Sequence, residues 1–256
     1  MNVATDLQGR IEELGPWFYD FDLGGGVVTP SSIPAEVRPI FRSRLQMVET
    51  AVIAHFGARV NPIRCIDIGC HEGFYSIAMA RRGMREVVGV DVREENLAKA
   101  RFVAETLNVP NVRYVKANCE EVCPEAHGRF ELSIFLGILY HLENPMLCLR
   151  RAAAVTTEMC IVETQVIDEV DGTAEWGARE WTRPYSGVLA LIDESGEYRD
   201  GNAETGATPL ATCPSPRALR TMLEHAGFRR IEFLEPPPGA YEQLARRKRV
   251  VCAAWK

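Results

Sequence analysis

From about residue 63 onward, apolar positions follow two alternating rhythms. Short apolar runs at about 63–68 (IRCIDI), 86–91 (EVVGVD), 112–116 (VRYVK), 130–136 (FELSIFL) and 158–164 (EMCIVET) read as strands. Segments with helical spacing at about 73–82, 94–107, 145–155 and 214–226 read as helices. Strands that alternate with helices in this way build βαβ units and a parallel sheet. Two further strands, at about 229–235 and 248–255, are joined by EPPPGAYEQLAR, a connection short enough for an antiparallel return. The expectation is an α/β fold: a seven-stranded, mostly parallel sheet, helices on both faces and one antiparallel late strand.

Two segments fall outside the rhythm. Residues 1–60 combine a helical start, the loop WFYDFDLGGGVVTPSSIP and an amphipathic helix over about 35–57, and read as a cap on a main domain spanning 61–256. Residues 165–213 are too long for an ordinary connection and read as a substrate-side insert or lid, or as partly disordered. Trp176, Trp181, Arg183 and Tyr185 in this insert are candidate substrate contacts, with Tyr198 nearby; such aromatics can equally anchor the loop on the body.

Composition narrows the class. Hydrophobic residues make up 46% and charged residues 25%, as in a globular domain with a core. No stretch is long and apolar enough to span a membrane, and the N-terminus has no secretory pattern, so the expected compartment is the cytoplasm. A formal net charge of −6 disfavours a polyanion partner, although a local basic patch could still bind RNA. Eight cysteines show no C-x-x-C pair and five histidines form no ligand array, so neither disulfides nor a metal site are expected. The run Arg246, Arg247, Lys248, Arg249 reads as a solvated strand end. The sequence leaves homo-oligomerisation open.

The sharpest signal is IDIGCHEGFYSIAMARR. A strand ends in Asp67, a turn carries Gly69 and Gly73, and a helix follows. Gly69 allows a tight turn close to a ligand, and Gly73 allows close packing where free helix N–H groups point outward. The spacing is G-x-x-x-G. The middle glycine that seats a pyrophosphate is missing, with Cys70 and His71 in that stretch, and no G-K-[ST] follows. Nicotinamide dehydrogenase and P-loop readings therefore fail, and an adenosine ligand without pyrophosphate remains. In VVGVDVR, Asp91 closes the next strand, where a carboxylate can accept both hydrogen bonds of a ribose diol.

D-x-G-x-x-x-G at one strand and an acid at the tip of the next resemble the class I S-adenosylmethionine (SAM)-dependent methyltransferases, a Rossmann-like family; the tail SPRALRTMLEHAGFRRIEFLE agrees. The resemblance implies SAM as cofactor, with Asp67, Gly69, Cys70 and Gly73 around its methionine part, and Asp91 on the ribose beside Val92. It implies Asn118 and Cys119 at the adenine, with asparagine standing where an aspartate is usual. At FLGILYHLENP it implies Leu136, Tyr140 and His141 around the methyl-transfer site. The string GILYHLENP is similar to a subgroup that includes tRNA wobble-uridine carboxymethyl-transferring enzymes.

Transfer to a hydroxyl calls for a base, and His141, at the sheet's carboxyl edge, is the candidate, against a loop-ordering role. Tyr140 is a candidate substrate donor or a packed aromatic. Arg38, Arg42 and Arg44 are candidates for the SAM carboxylate or members of a solvated helix face. The favoured function is methylation of a small molecule, a sugar or secondary metabolite hydroxyl. A tRNA-modifying enzyme and a catalytically silent SAM-fold binding protein are the alternatives, the intact cofactor motif arguing against the last.

Overall fold

The computed structural model describes residues 3–177, 181–196, 206 and 208–256; Tyr198 lies outside the described residues. The chain opens with α1 (Val3–Leu14), a hairpin of β1 (Asp22–Gly24) and β2 (Val27–Val28), and α2 (Pro39–Phe56). Next come β3 (Arg64–Ile68), α3 (Phe74–Arg81), β4 (Glu86–Asp91), α4 (Glu94–Thr106), β5 (Val112–Lys116) and α5 (Pro124–His127). After these follow β6 (Phe130–Leu136), α6 (Pro145–Val155) and β7 (Thr156–Gln165). The remainder is β8 (Thr173–Ala174), β9 (Arg183–Pro184), β10 (Leu189–Asp193), β11 (Leu210–Pro214), α7 (Pro216–Ala226), β12 (Arg230–Phe233), α8 (Glu242–Ala245) and β13 (Arg249–Trp255).

Seven strands form one sheet in the order β12-β13-β7-β6-β3-β4-β5. The pairs β3–β4, β4–β5, β3–β6 and β6–β7 are parallel, and β13 is antiparallel to both its neighbours. From β3 the chain winds outward through β4 and β5, then returns to β6 on the other side. The carboxyl ends of β3 and β6 thus flank a topological switch point, where open α/β sheets leave a crevice for ligands.

Strand alternation loads two cores. Cys65, Val87, Ile134 and Ile161 face a layer with Met47, Val48 and Val52 of α2 and Val103 of α4. Their neighbours Ile66, Val88, Phe135 and Val162 face Leu149 and Ala152 of α6 and Leu219 and Leu223 of α7. Burying each large aliphatic chain contributes about 1.5–3 kcal/mol. Among the described residues no helix is long and apolar enough to cross a membrane. The 165–213 segment contains two small antiparallel sheets, β8–β9 and β10–β11.

The N-terminal segment is tied to the β3–α3 turn by Glu72, which is fully buried. Its carboxylate accepts from the backbone N–H of Phe18 at 2.9 Å and of Tyr19 at 3.0 Å, and pairs with Lys99 Nζ at 2.9 Å. Lys99 also donates to Pro16 O and lies 5.7 Å over the Trp17 ring. One carboxylate therefore joins the cap, the turn and α4.

At the tip of β3, Asp67 is buried and accepts from Ser76 Oγ at 2.6 Å. Burial pushes its pKa up to about 7, against the ordinary 3.8, with the Ser76 hydrogen bond opposing. A carboxyl that holds its proton more tightly when folded loses stability as pH rises from about 4 to about 7.

Two measurements follow. Glu72→Ala strands the Lys99 ammonium and should lower unfolding free energy by about 3–5 kcal/mol in urea titrations, with faster amide exchange over residues 17–33. Asp67→Asn should be no more stable than wild type at pH 4 yet more stable at pH 8, by up to about 4 kcal/mol. Parallel pH profiles for the two proteins would show that Asp67 is not the group responsible.

Candidate active site

At the switch point lies a cavity of about 410 Å³, in the range of small-molecule sites. Its walls come from the N-terminal segment, the tips of β3 to β7 and the start of β13.

One end surrounds Asp91 at the tip of β4. Its carboxylate accepts from His71 N at 2.9 Å, Arg93 N at 2.9 Å and Asn96 Nδ2 at 3.3 Å. Burial raises its pKa, and the two backbone N–H groups oppose that rise. Val92 is exposed beside it. Across the cavity, Asn118 caps a 3-10 turn through Glu120 N, at 3.1 Å from its Oδ1, which leaves its Nδ2 hydrogens for a ligand. Cys119 completes this wall, its Sγ 2.9 Å from Cys148 Sγ.

The middle of the cavity is formed by Gly69, Leu136 and Gly137 beneath Phe18, Tyr19 and Phe41. Gly69 has φ 78°, and a Cβ there would come within 2.6 Å of Ile138 Cγ2. His71 adopts φ 52°, unusual for a residue with a side chain, and its ring lies 4.7 Å from that of Phe18.

The far end is polar. Tyr140 and His141 sit on the 3-10 turn Leu139–His141 just past β6, opposite Gln165 of β7 and Arg249 of β13. Arg249 donates to Tyr140 Oη at 3.1 Å, Gln243 Oε1 at 2.7 Å and Glu163 Oε1 at 3.1 Å. Arg44 Nε lies 3.2 Å from the same Glu163 oxygen. Burial first, then Arg249 and Arg93, push the His141 pKa down to about 4, so the imidazole is neutral in ordinary buffers.

Several expected residues stand elsewhere. Asp67, Cys70 and Gly73 do not line the cavity; they brace the turn from beneath, Asp67 on Ser76 and Gly73 against the Tyr114 hydroxyl. Trp176, Trp181, Arg183 and Tyr185 do not line it either. Trp176 and Trp181 are 67% and 58% exposed, and Tyr185 packs on Gly172 through the β8–β9 hairpin, which holds these residues on the outer surface. Arg38 bonds the carbonyls of Ile33 and Ser31, and Arg42 is exposed, so of the three helix arginines Arg44 faces the cavity.

The basic run also divides. Arg246, Arg247 and Lys248 are exposed, but Arg249 is buried because the strand's alternation turns it inward onto Glu163. Sequence reasoning missed Gln165, Gln243 and Arg249, which line the cavity, and Glu163, which holds Arg249 and Arg44 from behind its wall. Their signal is a glutamate inside the apolar run EMCIVET, which calls for a buried partner.

The model of the methyltransferase domain family matches residues 61–227. Among curated relatives, the ubiquinone biosynthesis O-methyltransferase of Acinetobacter baumannii is 33% identical over 82 residues, 32% of this chain and 34% of that protein. The O-antigen chain terminator bifunctional methyltransferase/kinase WbdD of Escherichia coli is 28% identical over 172 residues, 64% of this chain and 22% of that one. The matches therefore span about a third or less of those relatives' length. Among solved structures, the N-terminal domain of EvdMO1, crystallised in the presence of S-adenosylhomocysteine (SAH) and D-fucose, aligns over 100% of this chain and 96% of that one. The TM-score is 0.71 and the identity 25%. Magnesium protoporphyrin IX methyltransferase from Synechocystis PCC 6803 with bound SAH shares the fold, with TM-score 0.57 and 15% identity over 100% of this chain and 95% of that one. With the G-x-x-x-G turn and Asp91 meeting at one cavity of this sheet, the chain belongs to the class I SAM-dependent methyltransferases.

Proposed function

We propose that the protein is an O-methyltransferase acting on a hydroxyl of a small molecule, a sugar or secondary metabolite. The observation that carries this reading is the polar far end of the cavity. There Tyr140, His141, Gln165 and Gln243 offer hydrogen bonds suited to a polyhydroxylated acceptor, next to the part of the cavity that fits a nucleoside. The EvdMO1 domain crystallised in the presence of D-fucose supports a sugar as the first acceptor to try.

The cavity fits SAM. Asp91 lines it at the place for a ribose diol, Asn118 Nδ2 suits an adenine ring nitrogen, and Val92, Cys119 and Leu136 supply apolar contact. The close approach of Ile138 to Gly69 leaves no room for a side chain where the methionine part would run. When bound, SAM supplies a methyl group on a sulfonium, ready for in-line displacement.

The chain's own residues position the acceptor and manage its proton. Tyr140 Oη accepts from Arg249, so its own hydrogen is available to the acceptor. His141, neutral at working pH, accepts the hydroxyl proton as the oxygen takes the methyl. Asp67, Cys70 and Gly73 serve the cofactor indirectly, by holding the turn in shape.

Three outcomes test this. Asp91→Ala should weaken SAH about 100-fold in calorimetry, the loss expected for two hydrogen bonds to a charged acceptor; unchanged affinity would remove the ribose assignment. Radiolabelled methyl transfer should appear on free or nucleotide-linked 6-deoxyhexoses, with D-fucose as the first probe. Transfer to tRNA instead, or preference for carboxy-SAM, would overturn the small-molecule reading. His141→Ala should lower kcat about 10²-fold with SAH affinity intact. Because its pKa is depressed, His141 stays unprotonated as pH falls to about 5, and its acid limb should lie near pH 4.

A further inference from the structure

His141 Nδ1 is buried and has no hydrogen-bond partner among the described residues. Such a nitrogen is costly unless something satisfies it. The nearby carboxylate oxygen is Glu194 Oε2, 3.9 Å away, just beyond hydrogen-bond reach, with both side chains about 20% exposed. Glu194 belongs to the 165–213 insert, at the end of the β10–β11 hairpin, where its N–H donates to Pro209 O at 2.8 Å. The hairpin is fastened to the His141 turn, since Thr212 Oγ1 donates to Leu142 O at 2.8 Å. The juxtaposition is therefore built into the fold.

We propose that Glu194 is the positioning partner of His141, forming a Glu–His dyad in which the insert supplies the carboxylate. The proposal rests on the reading of His141 as the proton acceptor. The charged groups facing the ring are Arg249 from β13, Arg93 from the end of β4 and Glu194 from the hairpin. The two arginines disfavour a proton on the imidazole, and the carboxylate opposes them. A movement of about 1 Å brings Oε2 to Nδ1–H, fixing the tautomer that leaves the Nε2 lone pair for the acceptor. The acceptor O–H then gives its proton to Nε2 while its oxygen forms the new O–CH3 bond and the S–CH3 bond breaks, with that electron pair staying on sulfur. The imidazolium is neutralised by Glu194 until its proton is released to water. The products are a methyl ether, a thioether and one proton. Orientation of a base by a third group is a general device in such sites.

The test is titration of the full-length protein labelled with ¹³C,¹⁵N-histidine, in the presence of SAH. The His141 signals are assigned by their loss in His141→Ala. Wild type should show Nδ1–H as the main tautomer. Glu194→Gln, which keeps an acceptor oxygen but loses the charge, should keep the tautomer and bind a proton about tenfold more weakly. Glu194→Ala should mix the tautomers as well. With an acceptor in hand, kcat should fall about tenfold in Glu194→Gln at unchanged KM for SAM. Equal melting temperatures would show that both variants fold. Identical titrations and tautomers in all three proteins would overturn the dyad. Because the titration needs no acceptor, the dyad and the sugar reading fail separately.

Discussion

The carboxylate of Glu72 is out of water entirely, and its surroundings are arranged to hold it there. Two backbone N–H groups from residues 18 and 19 and the Lys99 ammonium supply what the solvent would have supplied. A buried charge that loses a partner is far more expensive than one left in water, so the segment that carries Phe18 and Tyr19 is pinned to the turn that carries Gly69 and His71. That pin brings the roof of the cavity over its floor. The aromatic contacts that follow, such as Tyr19 stacked on Phe74 at 4.8 Å, exist because the backbone is already positioned.

A second buried charge cluster works on the opposite wall. Glu163 on the interior strand β7 meets Arg44 from α2 and Arg249 from β13. Burial disfavours the Arg44 charge, but Glu163 together with Tyr75, Tyr140 and Tyr19 more than offsets it, so the pKa is raised. A pair like this contributes little net stability relative to an apolar substitute, but it is selective about geometry, since any shift of α2 or β13 strands a charge. The reversed direction of β13 puts Arg249 at the same sheet edge as the carboxyl ends of the parallel strands. Parallel strands alone would have presented their carboxyl ends there.

Much of the fold was legible because its signals are local and periodic. The runs around Ile66, Val88 and Phe135 mark strands whatever surrounds them, and Gly69 and Gly73 mark a turn by what they lack. The motif also led to Asp91, a strand-tip residue whose position follows from the pattern. What was not legible depends on pairs distant in sequence. Arg249 looks like its exposed neighbours until Glu163 stands opposite, and Arg44 looks like Arg42 until the helix is docked. The insert shows the same limit from the other side. Trp176 and Trp181 have the composition of a substrate lid, yet the β8–β9 pairing leaves them outside, and Glu194, which has no motif, lies beside His141.

The cavity walls come from stretches around residues 18–44, 69–93, 117–142, 165 and 243–249, widely spaced along the chain. A ligand held there touches pieces that meet only in the native state, so its binding free energy adds to folding stability. At a concentration 100 times Kd this is about 2.7 kcal/mol, a sizeable fraction of the total for a domain. Cofactor supply would then set how long the protein survives proteolysis as well as how fast it works, and a cell short of the methyl donor would hold less of the enzyme that consumes it.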